Sequence, residues 1–87
     1  MNKVVYKIDG YEVKQILLPS LDDTDPHPRL MFDDYGLHAG QPLTAWLPDG
    51  WHTITLEMLW EVEGAGCWYI STPGLSGVCP IGLWCRV

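Results

Sequence analysis

The groups in this 87-residue chain with the chemistry to act on a ligand are three histidines, three cysteines, a run of aspartates and an excess of tryptophan. His27 lies between two prolines, His38 in a glycine-flanked segment, and His52 just after Gly50-Trp51. No Ser or Cys sits in a nucleophile-elbow context, and no HExxH run or glycine-rich phosphate loop accompanies the histidines. Catalysis is therefore not expected. Cys67, Cys79 and Cys85 have ligand chemistry suited to zinc, but they lack CxxC pairs and the spacing of a zinc ribbon. They read instead as thiols packed as small apolar side chains in a reducing compartment. Asp22, Asp23 and Asp25 lack the regular spacing and the glycine of a calcium loop, so they read as solvated loop carboxylates. Neither metal nor cofactor is expected.

Charge separates the two parts of the chain. Lys3, Lys7 and Lys14 exceed Asp9 and Glu12 by one in residues 1–16. Beyond them only Arg29 and Arg86 oppose Asp22, Asp23, Asp25, Asp33, Asp34, Asp49, Glu57, Glu61 and Glu63, and the whole carries a formal charge of −6. Direct binding to nucleic acid or an anionic membrane needs clustered Lys and Arg, and neither is expected. A basic protein surface is the better electrostatic match.

The elements that must position these groups read as strands. Val4–Ile8 and Tyr11–Ile16 flank Asp9-Gly10, a two-residue type I′ hairpin signal. Pairing Ile8 with Tyr11 places Tyr6 opposite Val13 and Lys7 opposite Glu12, so both faces agree. Residues 17–29 form a loop rich in proline and aspartate, followed by a short strand from Arg29 to Phe32 that Asp33-Asp34-Tyr35-Gly36 ends. The stretch WHTITLEMLWEVE, Trp51–Glu63, alternates over its whole length and predicts one long strand. Its inner face would be His52, Ile54, Leu56, Met58, Trp60 and Val62. Gly64-Ala65-Gly66 breaks it, Cys67–Ser71 returns, residues 72–80 loop, and Gly82–Val87 closes the chain.

Leu43–Leu47 leads into that strand through Pro48-Asp49-Gly50, where two registers compete. An Asp49-Gly50 loop pairs Leu47 with His52 and Ala45 with Ile54. A proline-initiated turn with a glycine bulge pairs Leu47 with Trp51 instead. Polarity favours the first, which sends Trp46 and Trp51 outward beside Thr53 and Thr55. An outward Trp pair either meets a partner or packs against the N-terminal hairpin, and both readings stand. At least two of Trp60, Trp68 and Trp84 are expected to fill the barrel or cover its ends.

From Leu30 onward the residues also resemble a known family. The run Leu30-x-Phe32-Asp33, then Leu37-x-x-Gly40, Leu43-x-x-x-Leu47, Gly50-Trp51, Leu56-Glu57, Trp68-Tyr69-Ile70, Gly74-Leu75 and Gly82-Leu83-x-x-Arg86-Val87 is similar to small, functionally uncharacterised domains carried by phages, plasmids and integrative elements. The likeness covers about two thirds of the chain and leaves out the lysine-bearing hairpin, the proline-rich loop and the stretch after Gly77. It implies an SH3-like barrel and a mobile-element origin, and carries no catalytic residues.

The expected fold is thus a single all-β domain, a small SH3-like barrel of five to seven short antiparallel strands with an N-terminal hairpin and little or no helix: the hairpin over 1–16, the loop over 17–29 and the barrel over 30–87. Without the apolar core of a signal peptide, the chain is expected in the cytoplasm of a bacterial host. The expected role is a non-enzymatic binding protein that inhibits a host defence factor, such as a nucleic-acid-binding CRISPR effector complex. Asp22, Asp23, Asp25, Asp33 and Asp34 would meet basic residues, with Tyr35, Trp46 and Trp51 as aromatic anchors. Two other readings stand beside it: a sponge for a nucleotide signal, and an accessory module that self-assembles through a sheet edge.

Overall fold

A computed structural model describes residues 4–18, 26–32 and 35–87 of the chain. The domain is all-β and barrel-like, built on a six-stranded antiparallel sheet. Its strands are β1 (Tyr6–Ile8), β2 (Tyr11–Gln15), β5 (Pro42–Leu47), β6 (Gly50–Met58), β7 (Trp68–Ile70) and β8 (Trp84–Arg86). A separate two-stranded sheet joins β3 (Met31–Phe32) to β4 (Tyr35–Gly36). The large sheet runs β1-β2-β8-β5-β6-β7, so the last strand in the chain is inserted between the hairpin and the central pair. The edges β1 and β7 are three residues each and offer little unpaired backbone. Among the described residues no helix is long and apolar enough to cross a membrane.

The N-terminal hairpin forms in the expected register, with Ile8 opposite Tyr11, Lys7 opposite Glu12 and Tyr6 opposite Val13. Its turn is possible because Asp9 (φ 53°) and Gly10 (φ 83°) both occupy the left-handed region, which the primed turn demands. Rather than standing apart from the rest, the hairpin joins the sheet through Val13 opposite Arg86 and Gln15 opposite Trp84.

The core follows from alternation. Ala45 and Leu47 on β5, Ile54 and Leu56 on β6, Trp68 and Ile70 on β7 and Cys85 on β8 are all buried. Ile16, Leu30, Phe32, Leu37 and Cys67 complete it from the connections and the small sheet. Backbone hydrogen bonds tie that sheet on: Leu17 and Met31 bond each other in both directions at 2.9 and 2.8 Å, and Gly40 N–H donates to Leu56 O at 2.6 Å. Burying a branched side chain of this size contributes about 1.5–3 kcal/mol, and the cluster supplies most of the drive to fold.

Two local expectations are corrected. The β5–β6 turn contains only Pro48 and Asp49, with Leu47 opposite Gly50, Trp46 opposite Trp51 and Ala45 opposite His52. Neither register weighed from the sequence is realised. Proline supplies the fixed φ that a first turn position wants, and Gly50, at φ 122°, takes the strained place where the strand resumes. The realised register differs from the polarity-favoured one by two residues, so the faces are the same. Trp46 and Trp51 do point outward.

The second correction concerns the end of the long strand. β6 stops at Met58, and Trp60 and Val62, expected inside, are 66% and 39% exposed. The reason is the reach of its neighbour. Met58 pairs with Trp68, so residues 59–67 must turn the chain back. Leu59 N–H still donates to Cys67 O at 2.8 Å, but Val62 N–H then donates to Leu59 O at 3.1 Å and the chain leaves the ladder. Alternation without a pairing strand does not make a strand. Replacing a core residue and an exposed one tests this boundary: in urea denaturation, Ile54→Ala should lose about 2–5 kcal/mol of stability, and Trp60→Ala less than about 1.5.

Candidate functional site

The face of the large sheet away from the core is aromatic. Because Cys85 is buried opposite Ala45, its neighbours Trp84 and Arg86 leave on the other face. β2 brings Tyr11, Val13 and Gln15 to that face through its register with β8, and β1 adds Tyr6. From the other side, β5 and β6 contribute Trp46 and Trp51. Five strands from three separate parts of the chain thereby meet in one layer.

The rings are mutually packed. Trp46 and Trp51 lie 5.0 Å apart between centroids at an interplanar angle of 66°, and Trp51 meets Tyr11 edge to face at 5.8 Å and 85°. Tyr6 and Trp84 form a second pair at 5.1 Å. Arg86 stacks on the cluster, its Cζ 3.8 Å from the Tyr11 centroid and 5.4 Å from that of Trp51. Trp51 Nε1 donates to Asp9 Oδ2 at 3.3 Å, which ties the hairpin turn to β6. Each such pair adds about 0.5–1.5 kcal/mol to area burial, so the layer is held in place rather than loosely exposed. Val13 beneath it is buried, whereas Tyr6, Tyr11 and Trp46 remain 56%, 46% and 37% exposed. The arrangement is a rigid aromatic platform with one cation set among its rings.

The residues named from the sequence separate here. Trp46 and Trp51 are brought together as neighbours on this face. Tyr35 is exposed on β4 of the small sheet and shares no ring contact with them among the described residues. Asp22, Asp23, Asp25, Asp33 and Asp34 lie outside the described residues. Sequence reasoning missed Tyr6, Tyr11, Trp84 and Arg86 as members of the site. The hairpin register already placed Tyr6 and Tyr11 on one face, but nothing local announces that β8 pairs with β2.

The histidines and cysteines have separate settings. His52 Nε2 donates to Asp49 Oδ1 at 2.7 Å across the β5–β6 turn, and this bond holds the exposed Asp49 carboxyl below its ordinary range. His27 Nε2 donates to Trp60 O at 2.7 Å. Cys79 is at the surface, whereas Cys67 and Cys85 are in the core. Burial pushes the Cys85 thiol up to about 12, since a thiolate there would be stripped of water. No group of three or more His, Cys, Asp or Glu converges among the described residues.

A pH-dependent outcome follows for the thiols. Cys85 ionises near 9.0 once unfolded but near 12 in the fold, so the folded state retains the proton and loses relative stability as pH rises through that window. Native protein at pH 8 should react with a thiol reagent at Cys79, Cys79→Ser should remove that fast reaction, and Cys85 should react only with denaturant present. In Cys85→Ala the loss of stability above pH 9.0 should be smaller than in wild type, measured by urea midpoints across the alkaline range. A wild-type midpoint flat through that range would contradict the assignment. No family model, no curated protein and no solved structure matches this chain.

Proposed function

We propose that the chain is a non-enzymatic binding domain that acts by occupying a partner protein, with the aromatic outer face as its anchor. The observation that carries this reading is the preassembled layer of Tyr11, Trp46 and Trp51 around Arg86, partly open to solvent on a sheet already packed on its other side. Aromatic and arginine side chains are where binding free energy concentrates. Because these rings are already fixed by one another, little rotamer entropy remains to be lost on association. The formal charge of −6 favours a basic partner and speeds its encounter.

The finer reading comes from the resemblance to domains of phages, plasmids and integrative elements. On it, the partner is a host defence factor with a basic, nucleic-acid-binding groove, and the chain inhibits it stoichiometrically in the bacterial cytoplasm. Asp22, Asp23, Asp25, Asp33 and Asp34 would add electrostatic attraction around the aromatic anchor, with Tyr35 beside Asp33 and Asp34 in sequence.

The test uses a phage targeted by a CRISPR effector in cells that express the chain. Wild type should restore plating, and Tyr11→Ala combined with Trp46→Ala should abolish it while circular dichroism and the urea midpoint show a folded domain. With the partner recovered by co-purification, Trp46→Ala should weaken binding about 30-fold, the size of a hot spot worth about 2 kcal/mol. Asp33→Lys with Asp34→Lys should slow association and weaken its salt dependence. Full inhibition by the aromatic double variant would overturn the reading.

A further inference from the structure

A concave site lies at the far end of β6, away from the aromatic face. His27, Arg29, Leu37, His38, Met58, Trp60 and Trp68, with Ala39, line a pocket of about 390 Å³. The volume is in the range that holds a small organic ligand. Its base is apolar and fixed: Leu37 and Trp68 are buried, and Trp68 Nε1 donates to Pro28 O at 2.7 Å. Its wall is Trp60, an indole left largely in water, braced by the His27 ring at 4.9 Å and by the bond from His27 to the Trp60 carbonyl. Gly64 N–H donates to Pro26 O at 2.6 Å, so the 59–64 turn and the 26–29 segment are held together.

Besides two indoles, the polar side chains lining this pocket are Arg29, His27 and His38. Arg29 lies across Gly36, where an added Cβ would stand 2.7 Å from its Cδ and 3.1 Å from its Nη1. Glycine at that position lets the arginine lie flat against β4 and keeps its guanidinium at the pocket. His27 and His38 add two imidazoles, and no carboxylate is among the lining residues described. Arg29 is one of only five Lys and Arg in a chain with eleven Asp and Glu. A cationic ligand would meet Arg29 head-on. A purely apolar one would desolvate the guanidinium with nothing in return.

We infer that this pocket binds a small aromatic anion of the nucleoside-phosphate class, the base stacked on Trp60 and the phosphate held by the Arg29 guanidinium with His38 beside it. Arginine presents planar paired donors to phosphate, and an open indole accepts any base by stacking. The inference goes beyond the partner-binding reading and does not rest on it, since it uses none of the aromatic-face residues.

The experiment titrates the full chain with AMP, adenosine and inorganic phosphate by calorimetry and by NMR shifts of the tryptophan indole N–H groups. AMP should bind and shift Trp60, and adenosine and inorganic phosphate should each bind at least ~10-fold more weakly, because each keeps one of the two interactions. Arg29→Gln and Trp60→Ala should each weaken AMP binding by ~10-fold or more. Gly36→Ala retains every ligand-facing side chain but displaces Arg29, and should weaken AMP while leaving the urea midpoint close to wild type. Trp46→Ala should bind AMP as wild type does, which separates this site from the aromatic face. No binding at millimolar AMP, inorganic phosphate equal to AMP, or an unchanged affinity in Trp60→Ala would each overturn the assignment.

Discussion

The structure depends on the insertion of β8 between β2 and β5. Three residues at the end of the chain, Trp84, Cys85 and Arg86, close the gap between an N-terminal hairpin and the central pair of strands. Cys85 is fully buried opposite Ala45, and the strand's period of two then leaves Trp84 and Arg86 no choice of face. Both sheet faces are thus set by one small apolar thiol. Burial raises the ionisation of that thiol, so its packing opposes its reactivity, and it behaves as a hydrophobe with no exposed chemistry. The β2–β8 contact joins residues 69 to 73 positions apart, so the aromatic layer depends on a long-range pairing that carries its own loop-closure cost.

What was legible in the sequence was what is local. Asp9-Gly10 between alternating segments specified its turn, its register and both faces without help from anything distant. The β5–β6 pairing was legible only in parity. The turn closed on Pro48 and Asp49, two residues from the favoured pairing, yet Trp46 and Trp51 still face outward because a shift of two preserves the pleat. The end of β6 was illegible for the converse reason. Alternation continues through Trp60 and Val62, but a ladder needs a neighbour, and β7 has only three residues to give. Periodicity reports what a side chain would do in a strand and is silent on whether a partner strand is there.

The candidate sites were illegible in the same way. Arg86 reads as an isolated cation near a C-terminal valine until β2 places Tyr11 under it at 3.8 Å. Arg29 reads as one charge in a proline-rich loop until Gly36, on β4, makes room for it. In each case the residue types were visible and the juxtaposition was not, because it is created by pairings that the local pattern does not encode. The aromatic layer also shows that exposure alone is a poor guide. Tyr6 and Tyr11 are more open than Trp51, yet Trp51 is the ring that touches Trp46, Tyr11, Arg86 and Asp9.

β6 links the two surfaces and keeps them apart. Trp51 stands at its start and Met58 at its end, and seven steps of about 3.4 Å separate them by roughly 24 Å. Neither a shared ligand nor a direct contact can bridge that span, so coupling would have to pass through the strand itself. The strand has no small adjustment to offer. Ile54 and Leu56 are fully buried between the sites, and a slip of one residue would send both to solvent and turn Thr53 and Thr55 into the core. Partial displacement is costly and complete displacement is unfolding. The two surfaces therefore share the strand that supports them, and whatever loosens β6 disturbs both.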